Sequence, residues 1–235
     1  MLCDDLSLSS PATRVDGIHV VQLVVAVLLV RPLLRLLYGV RVRAAPGAFR
    51  GPAVYACNHR SFYDPILASA FHRRPISFFA RASLWRMPVA GQFLRMFRAL
   101  PIDRSEPQLA IMKRMIAHLR GGFSVLIFPE GTRTRTGWLA PLRQGPALFA
   151  RRAGVPLVPI YLVNSAAPWP RSRILPRLYG PPMVALYGPP LRPPQALPRR
   201  LQERWLTLAL ERWMAAKERR YLGQRRPLDS GPESP

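Results

Sequence analysis

The sequence predicts an α/β layered fold, with a mainly parallel central sheet flanked by helices, preceded by an N-terminal membrane-associated helical segment. Three observations predict it. From Gly51 onward strand-like and helix-like segments alternate, the pattern of strand–helix–strand units whose strands pair in one direction. The apolar run Ala53 to Cys57 ends at Asn58 and leads to Asp64-Pro65, a helix start with Asp as N-cap and Pro at the first helical position. A chain of 235 residues, 49% of them hydrophobic, supports one substantial core and is too apolar for wholesale disorder.

In chain order, residues 1–17 are polar and expected to be flexible. The apolar run from Ile18 to Val30 halts at Arg31-Pro32, and Leu33 to Val40 continues apolar around Arg35. Its uninterrupted part falls short of the roughly 20 residues that span a bilayer. The expectation over 18–45 is therefore a helical segment lying in the membrane interface or inserted shallowly. A full span with snorkelling arginines and a buried core helix are the alternatives. Asp4, Asp5 and Asp16 precede the run while Arg31, Arg35, Arg41, Arg43 and Arg50 follow it, the wrong polarity for a signal peptide. The same asymmetry puts the following domain on the cytoplasmic side of a membrane.

Over 46–222 the candidate strands are Ala53 to Cys57, Ile76 to Arg81, Ala99 to Ile102, Ser124 to Phe128, Leu157 to Val163 and Met183 to Tyr187. Candidate helices are Ile66 to His72, Val89 to Phe97, Pro107 to Leu119 and Pro146 to Ala153. Dense proline across 164–198 forbids a long helix there but leaves room for the last strand. Arg199 to Leu222 reads as a core-docked helix, with Leu201, Trp205, Leu208 and Arg212 on one stripe and Leu206, Leu210, Trp213 and Met214 beside it. Membrane contact through Trp205 and Trp213 is its other reading. Residues 223–235 are expected to be a disordered tail.

Lys plus Arg number 35 against 12 Asp plus Glu, a net charge of +23 that favours anionic partners: lipid head groups, phosphorylated substrates, acidic carrier proteins or nucleic acid. The basic residues are scattered and no helix-turn-helix, finger or ribonucleoprotein signature accompanies them, so nucleic acid is not expected. Cys3 and Cys57 lie far apart, which implies neither a disulfide framework nor a metal knuckle and fits a reducing compartment.

The chemistry concentrates in Asn58-His59-Arg60-Ser61-Phe62-Tyr63-Asp64-Pro65 and Phe128-Pro129-Glu130-Gly131-Thr132-Arg133. Residues five apart on a regular helix point about 140° away from each other, at roughly 100° per residue. A bend between His59 and Asp64 brings them together, and a carboxylate on one imidazole nitrogen leaves the other free as a base. No Gly-x-Ser-x-Gly elbow supplies a nucleophile, and Ser61 is only two residues from the histidine; a substrate is the alternative source of the hydroxyl that loses its proton. Metal ligation by His59 and Asp64 is the competing chemistry, and the sequence offers no clear third and fourth ligand. His19 lies in the apolar run, and His72 and His118 occupy ordinary helical positions.

These two blocks, with Leu100-Pro101-Ile102-Asp103-Arg104 between them and Val155-Pro156-Leu157-Val158-Pro159 after them, resemble in order and spacing the glycerolipid acyltransferase family typified by 1-acylglycerol-3-phosphate O-acyltransferase. The resemblance covers roughly 50–165 and implies His59 as base and Asp64 as its orienter. It implies substrate contacts from Arg104, Glu130, Gly131, Thr132 and Arg133, with Arg104 and Arg133 on the acceptor's phosphate. Arg143 and Arg81 stand where relatives often carry lysine, and Arg143 is a further candidate for substrate contact.

The resemblance also implies a membrane-bound enzyme of phospholipid biosynthesis without metal or cofactor. Its partners are a lysophospholipid acceptor, an acyl-CoA or acyl-carrier protein donor and an anionic membrane surface. The preferred reaction converts 1-acylglycerol-3-phosphate to phosphatidic acid. Another lysolipid, an amino-acid lipid or a noncatalytic basic binding role are the alternatives. Simpler readings stand beside the motif residues: a local pair with Asp103 for Arg104, a loop carboxylate for Glu130, loop shaping for Asn58 and Ser61, and a small strand hydrophobe for Cys57.

Overall fold

The computed structural model describes residues 24–222 except 73–75, 88–90, 93, 95–98, 104, 171, 172 and 174. A π-type turn, Ala26–Val30, runs into helix α1, Arg31–Tyr38. Pro32 comes just after the π-type turn, where the wider turn accommodates a residue that cannot donate to the preceding carbonyls, and Gly39 at φ 53 takes the left-handed C-cap. The remaining elements, in order, are β1 (Arg41–Ala44), β2 (Val54–Cys57), α2 (Asp64–Ala70), β3 (Ile76–Arg81), a 3₁₀ turn (Ala82–Arg86), β4 (Leu100–Ile102), α3 (Gln108–Arg120), β5 (Ser124–Ile127), α4 (Gly145–Ala153), β6 (Leu157–Val163), β7 (Val184–Tyr187) and α5 (Arg199–Leu222).

Among the described residues seven strands form one sheet in the order β1-β7-β6-β2-β5-β3-β4. Every neighbouring pair is parallel except β6–β7. The sheet is therefore mainly parallel, with helices on both faces. Side-chain alternation sorts the core into two halves. Tyr55 and Cys57 of β2 and Val158, Ile160 and Leu162 of β6 face a cluster shared with Leu34, Tyr38 and Leu67 from α1 and α2. Val54 and Ala56, with Leu157, Tyr161 and Val163, face the opposite cluster of Met115, Leu119, Ala147, Ala150, Leu206, Leu210 and Met214 from α3, α4 and α5. A strand covered on both sides reads as continuous apolar sequence, as Leu157 to Val163 does.

Three expectations are corrected. The helical segment over 18–45 ends at Tyr38 because Gly39 breaks it, and Arg41–Ala44 becomes an edge strand pairing in parallel with β7, Arg41 opposite Val184 and Ala44 opposite Tyr187. Its exposed arginines suit an edge, where charge discourages further strand addition. On α5 the docking stripe is Leu206, Leu210, Met214 and Glu218, one residue every turn, while Leu201 and Leu208 point outward. Each of its three apolar members contributes about 1.5–3 kcal/mol by burial. Asp64 is the first residue of α2, and its carboxylate turns back toward the preceding loop; the N-cap position belongs to Tyr63.

No helix among the described residues is long and apolar enough to cross a membrane. The expectations for 1–17 and 223–235, the start of the segment at 18–23, and most of the helix expected from Val89 to Phe97 lie outside the described residues.

Candidate active site

Strands β2 and β5 are adjacent and parallel, so their C-terminal ends deliver 58–64 and 128–133 side by side. Asn58 continues the ladder by one step with its side chain: its amide NH₂ donates to the Leu162 carbonyl at 3.1 Å and its Oδ1 accepts the Leu162 N–H at 2.7 Å. The chain then bends. Asp64 Oδ2 gathers the bend by accepting from the backbone N–H groups of Arg60 and Ser61, the latter at 2.6 Å, and it lies 2.9 Å from His59 Nδ1. Ser61 Oγ donates to the Trp169 carbonyl at 2.9 Å and accepts the Tyr63 N–H at 3.1 Å. Asn58 and Ser61 are thus loop-shaping residues.

Asp64 is fully buried, and its partner imidazole keeps 19% of its side chain exposed. With Asp64 ionised and Nδ1 donating to it, Nε2 carries the lone pair that accepts a proton. The ring stacks on Phe128 at 4.0 Å between centroids and 21° between planes, which fixes its second rotational freedom.

The second block braces the first. Glu130 Oε1 accepts the His59 backbone N–H at 2.7 Å and Oε2 accepts the Ala140 N–H at 3.1 Å, while the His59 carbonyl accepts from Thr134 N–H at 2.9 Å. Burial pushes the Glu130 carboxyl above its ordinary value, opposed by those two N–H bonds and by the charge of Arg60 and His59. Gly131 has φ +74, and a Cβ there would sit 2.9 Å from Nε and Cζ of Arg143, so the guanidinium of Arg143 lies directly over this glycine. The Arg133 guanidinium rests over the Phe62 ring, 3.5 Å from its centroid. Thr132 and Arg143 are exposed. Arg104 lies outside the described residues, and beside it Asp103 Oδ1 accepts from Ser105 N–H at 3.0 Å.

Cys57 is fully buried and its thiol is pushed well up by burial and by the charges of Asp64 and Glu130. It is a strand hydrophobe and not a nucleophile. Among the described residues no group of three His, Cys, Asp or Glu side chains is placed to hold a metal. His118 Nε2 lies 2.9 Å from Ser77 Oγ, and His72 is buried among aromatic rings, both away from the bend.

Sequence reasoning missed Arg60, Tyr161 and Glu218. Arg60 Nη2 donates to Tyr161 Oη at 2.9 Å and to Glu218 Oε1 at 2.8 Å, all three being largely buried. The signal was present in α5, where the spacing 206, 210, 214 puts an acid at the next core position.

Comparison with known proteins identifies the family. The family model described as Acyltransferase matches residues 38–163. A chloroplastic 1-acyl-sn-glycerol-3-phosphate acyltransferase of Brassica napus, BAT2, is 35% identical over 116 residues, covering 48% of this chain and 33% of that protein. The 1-acyl-sn-glycerol-3-phosphate acyltransferase of Pseudomonas aeruginosa is 33% identical over 145 residues, 60% of this chain and 56% of that protein. The match therefore spans from a third to just over half of these relatives' length. In architecture the chain is similar to the crystal structure of the 1-acyl-sn-glycerophosphate acyltransferase PlsC from Thermotoga maritima, with a TM-score of 0.60 at 18% identity, covering 75% of this chain and 71% of that one.

Proposed function

The chain belongs to the acyltransferase family, and on that premise we propose that it moves a fatty acyl group from an acyl thioester to the free hydroxyl of 1-acylglycerol-3-phosphate, forming phosphatidic acid. The observation that carries this reading is the 2.9 Å contact between His59 Nδ1 and Asp64 Oδ2 beside the loop that bears the guanidinium groups of Arg133 and Arg143.

In the proposed reaction His59 Nε2 takes the acceptor's hydroxyl proton as the oxygen attacks the thioester carbonyl. Asp64 stabilises the imidazolium that forms. The tetrahedral intermediate collapses by breaking its C–S bond, and His59 returns the proton to the departing thiolate. No acyl-enzyme is required, in keeping with the burial of Cys57. Arg133 and Arg143, with Arg104, are assigned to phosphate, since a guanidinium fork matches two phosphate oxygens. Gly131 and Thr132 line the approach, and Glu130 keeps the base in place through its main chain.

We assign the domain to the cytoplasmic face of a membrane. Leu28, Leu29, Leu33 and Leu36 are exposed along the first helical stretch, with Arg41 and Arg43 just beyond it, a combination suited to an anionic lipid interface. Both acyl-CoA and acyl-carrier protein suit the basic surface as donors.

The test is a radiolabelled acyl donor of each kind offered with a panel of acceptors: 1-acylglycerol-3-phosphate, other lysophospholipids and a phosphate-free amino-acid lipid. Phosphatidic acid is the expected product and His59→Ala abolishes it. A phosphate-free acceptor that is preferred outright removes the role given to Arg133 and Arg143.

A further inference from the structure

Two buried carboxylates join the same pair of loops at successive residues. Glu130 binds the N–H of His59 and the N–H of Ala140. Glu218 binds one residue further along the first loop and one residue earlier in the second: its Oε1 accepts from Arg60 Nη2 at 2.8 Å and from the Leu139 N–H at 2.7 Å. Arg60 Nη2 also reaches Tyr161 Oη at 2.9 Å, which anchors the group to the middle of the sheet. Arg60 is 6% exposed and Glu218 7%.

Glu218 closes the stripe of Leu206, Leu210 and Met214 that docks α5. Leucine at that position would dock the helix without the cost of burying a charge. What the carboxylate adds is a shared acceptor for two donors on two different loops. Without Glu218 the two loops are joined at His59, by Glu130 and by the Thr134 N–H on the His59 carbonyl, and by the Arg133 guanidinium over Phe62. Glu218 adds a joint at Arg60 and Leu139 and ties both loops to α5, which restrains their movement relative to each other and supports the distance of His59 from Arg133 and Arg143.

We propose that Glu218 is a positioning residue for acyl transfer, locking the His59 loop to the phosphate-binding loop through Arg60 and Leu139. The assignment to transfer rests on the function proposed above; the lock itself does not.

The test uses the full chain with Glu218→Gln, Glu218→Asp and the double variant Arg60→Met/Glu218→Leu, reading amide hydrogen exchange by mass spectrometry, thermal unfolding, and kcat and KM for each substrate. Glu218→Gln is expected to raise exchange in both 59–63 and 131–140 by roughly tenfold, with β2, β5 and β6 unchanged. Its kcat falls by about tenfold to a hundredfold and its acceptor KM rises, while donor KM holds. Glu218→Asp, which keeps the charge on a shorter arm, falls between Glu218→Gln and the wild type. The double variant replaces the pair by apolar groups and recovers the melting temperature without recovering exchange protection or kcat.

A double variant with wild-type kcat, or Glu218→Gln with both loops exchanging as in the wild type, overturns the proposal. A wild-type protein that transfers no acyl group to any acceptor overturns the functional reading instead, and the exchange experiment still decides the lock.

Discussion

Glu130 Oε1 lies 2.7 Å from the backbone nitrogen of His59, so the acid of the second motif holds the histidine of the first by its main chain and leaves the ring to Asp64. Its other oxygen takes the Ala140 N–H. Glutamine has one carbonyl oxygen, so in Glu130→Gln one of these two N–H groups must face an NH₂ donor. Leaving a buried donor without an acceptor costs about 1–3 kcal/mol. Urea denaturation is expected to show a loss in that range. Transfer activity is expected to drop even in conditions where the variant is fully folded by circular dichroism.

Asp64→Asn keeps the shape of the bend but loses the charge that stabilises an imidazolium. One oxygen of Asp64 serves three donors, from His59, Arg60 and Ser61. Both Asp64→Asn and His59→Ala are expected to lower kcat by about 10²-fold or more. Because the two side chains act as a unit, the double variant is expected to be no slower than His59→Ala alone. Multiplicative losses in steady-state kinetics would contradict this coupling.

His72 predicts a pH dependence of stability. It is 3% exposed, its ring lies edge-on to Tyr55, Phe49 and Tyr187, and its carbonyl accepts from the Arg31 guanidinium at 2.7 Å. Burial, helped by the charge of Arg31, lowers its pKa from 6.5 to about 3. Between those values the unfolded chain binds a proton that the folded chain does not, so stability rises with pH. The contribution is complete above about pH 6.5 and is lost as pH falls toward 3, at about 1.4 kcal/mol per pH unit. Chemical denaturation between pH 7 and pH 5 is expected to give His72→Leu a shallower pH slope than the wild type, and equal slopes would refute the assignment.

Two glycines separate packing from function. A Cβ on Gly188 would lie 2.6 Å from Pro159 Cγ and 2.7 Å from Trp213 Cε2, where the chain leaving β7 passes between the sheet and α5. Gly188→Ala is expected to cost about 1–3 kcal/mol through overpacking. It should lower the melting temperature while leaving KM unchanged. Gly131→Ala meets strain from φ +74 and displaces the flexible end of Arg143. Its expected effect is a raised acceptor KM, with a smaller change in melting temperature.

Much of the sheet was legible in the sequence because its inner strands are short apolar runs bounded by turn residues: Ile76–Arg81 and Leu157–Val163 have the expected bounds. The pairing of His59 with Asp64 was legible because Pro65 starts a helix and forces the bend. Arg41–Ala44 was not legible, since a basic four-residue stretch after a helix becomes a strand only by finding Val184 to Tyr187 far along the chain. Glu218 was legible only as an acid at the next position of the α5 stripe; its importance comes from the loops it meets and not from its neighbours in α5. Strand order, with β2 between β5 and β6, likewise arises from long-range packing that local pattern does not encode.

Arg60 and Glu218 stand 158 positions apart, and their contact sets a schedule for biosynthesis. At about 5–20 residues per second a ribosome needs roughly 8 to 30 s to make the intervening chain. During that interval the nascent His59–Asp64 bend can form locally while its clamp is still unmade. Under the function proposed above, full competence for acyl transfer therefore arrives late, once α5 has emerged and folded back onto the loop that carries His59.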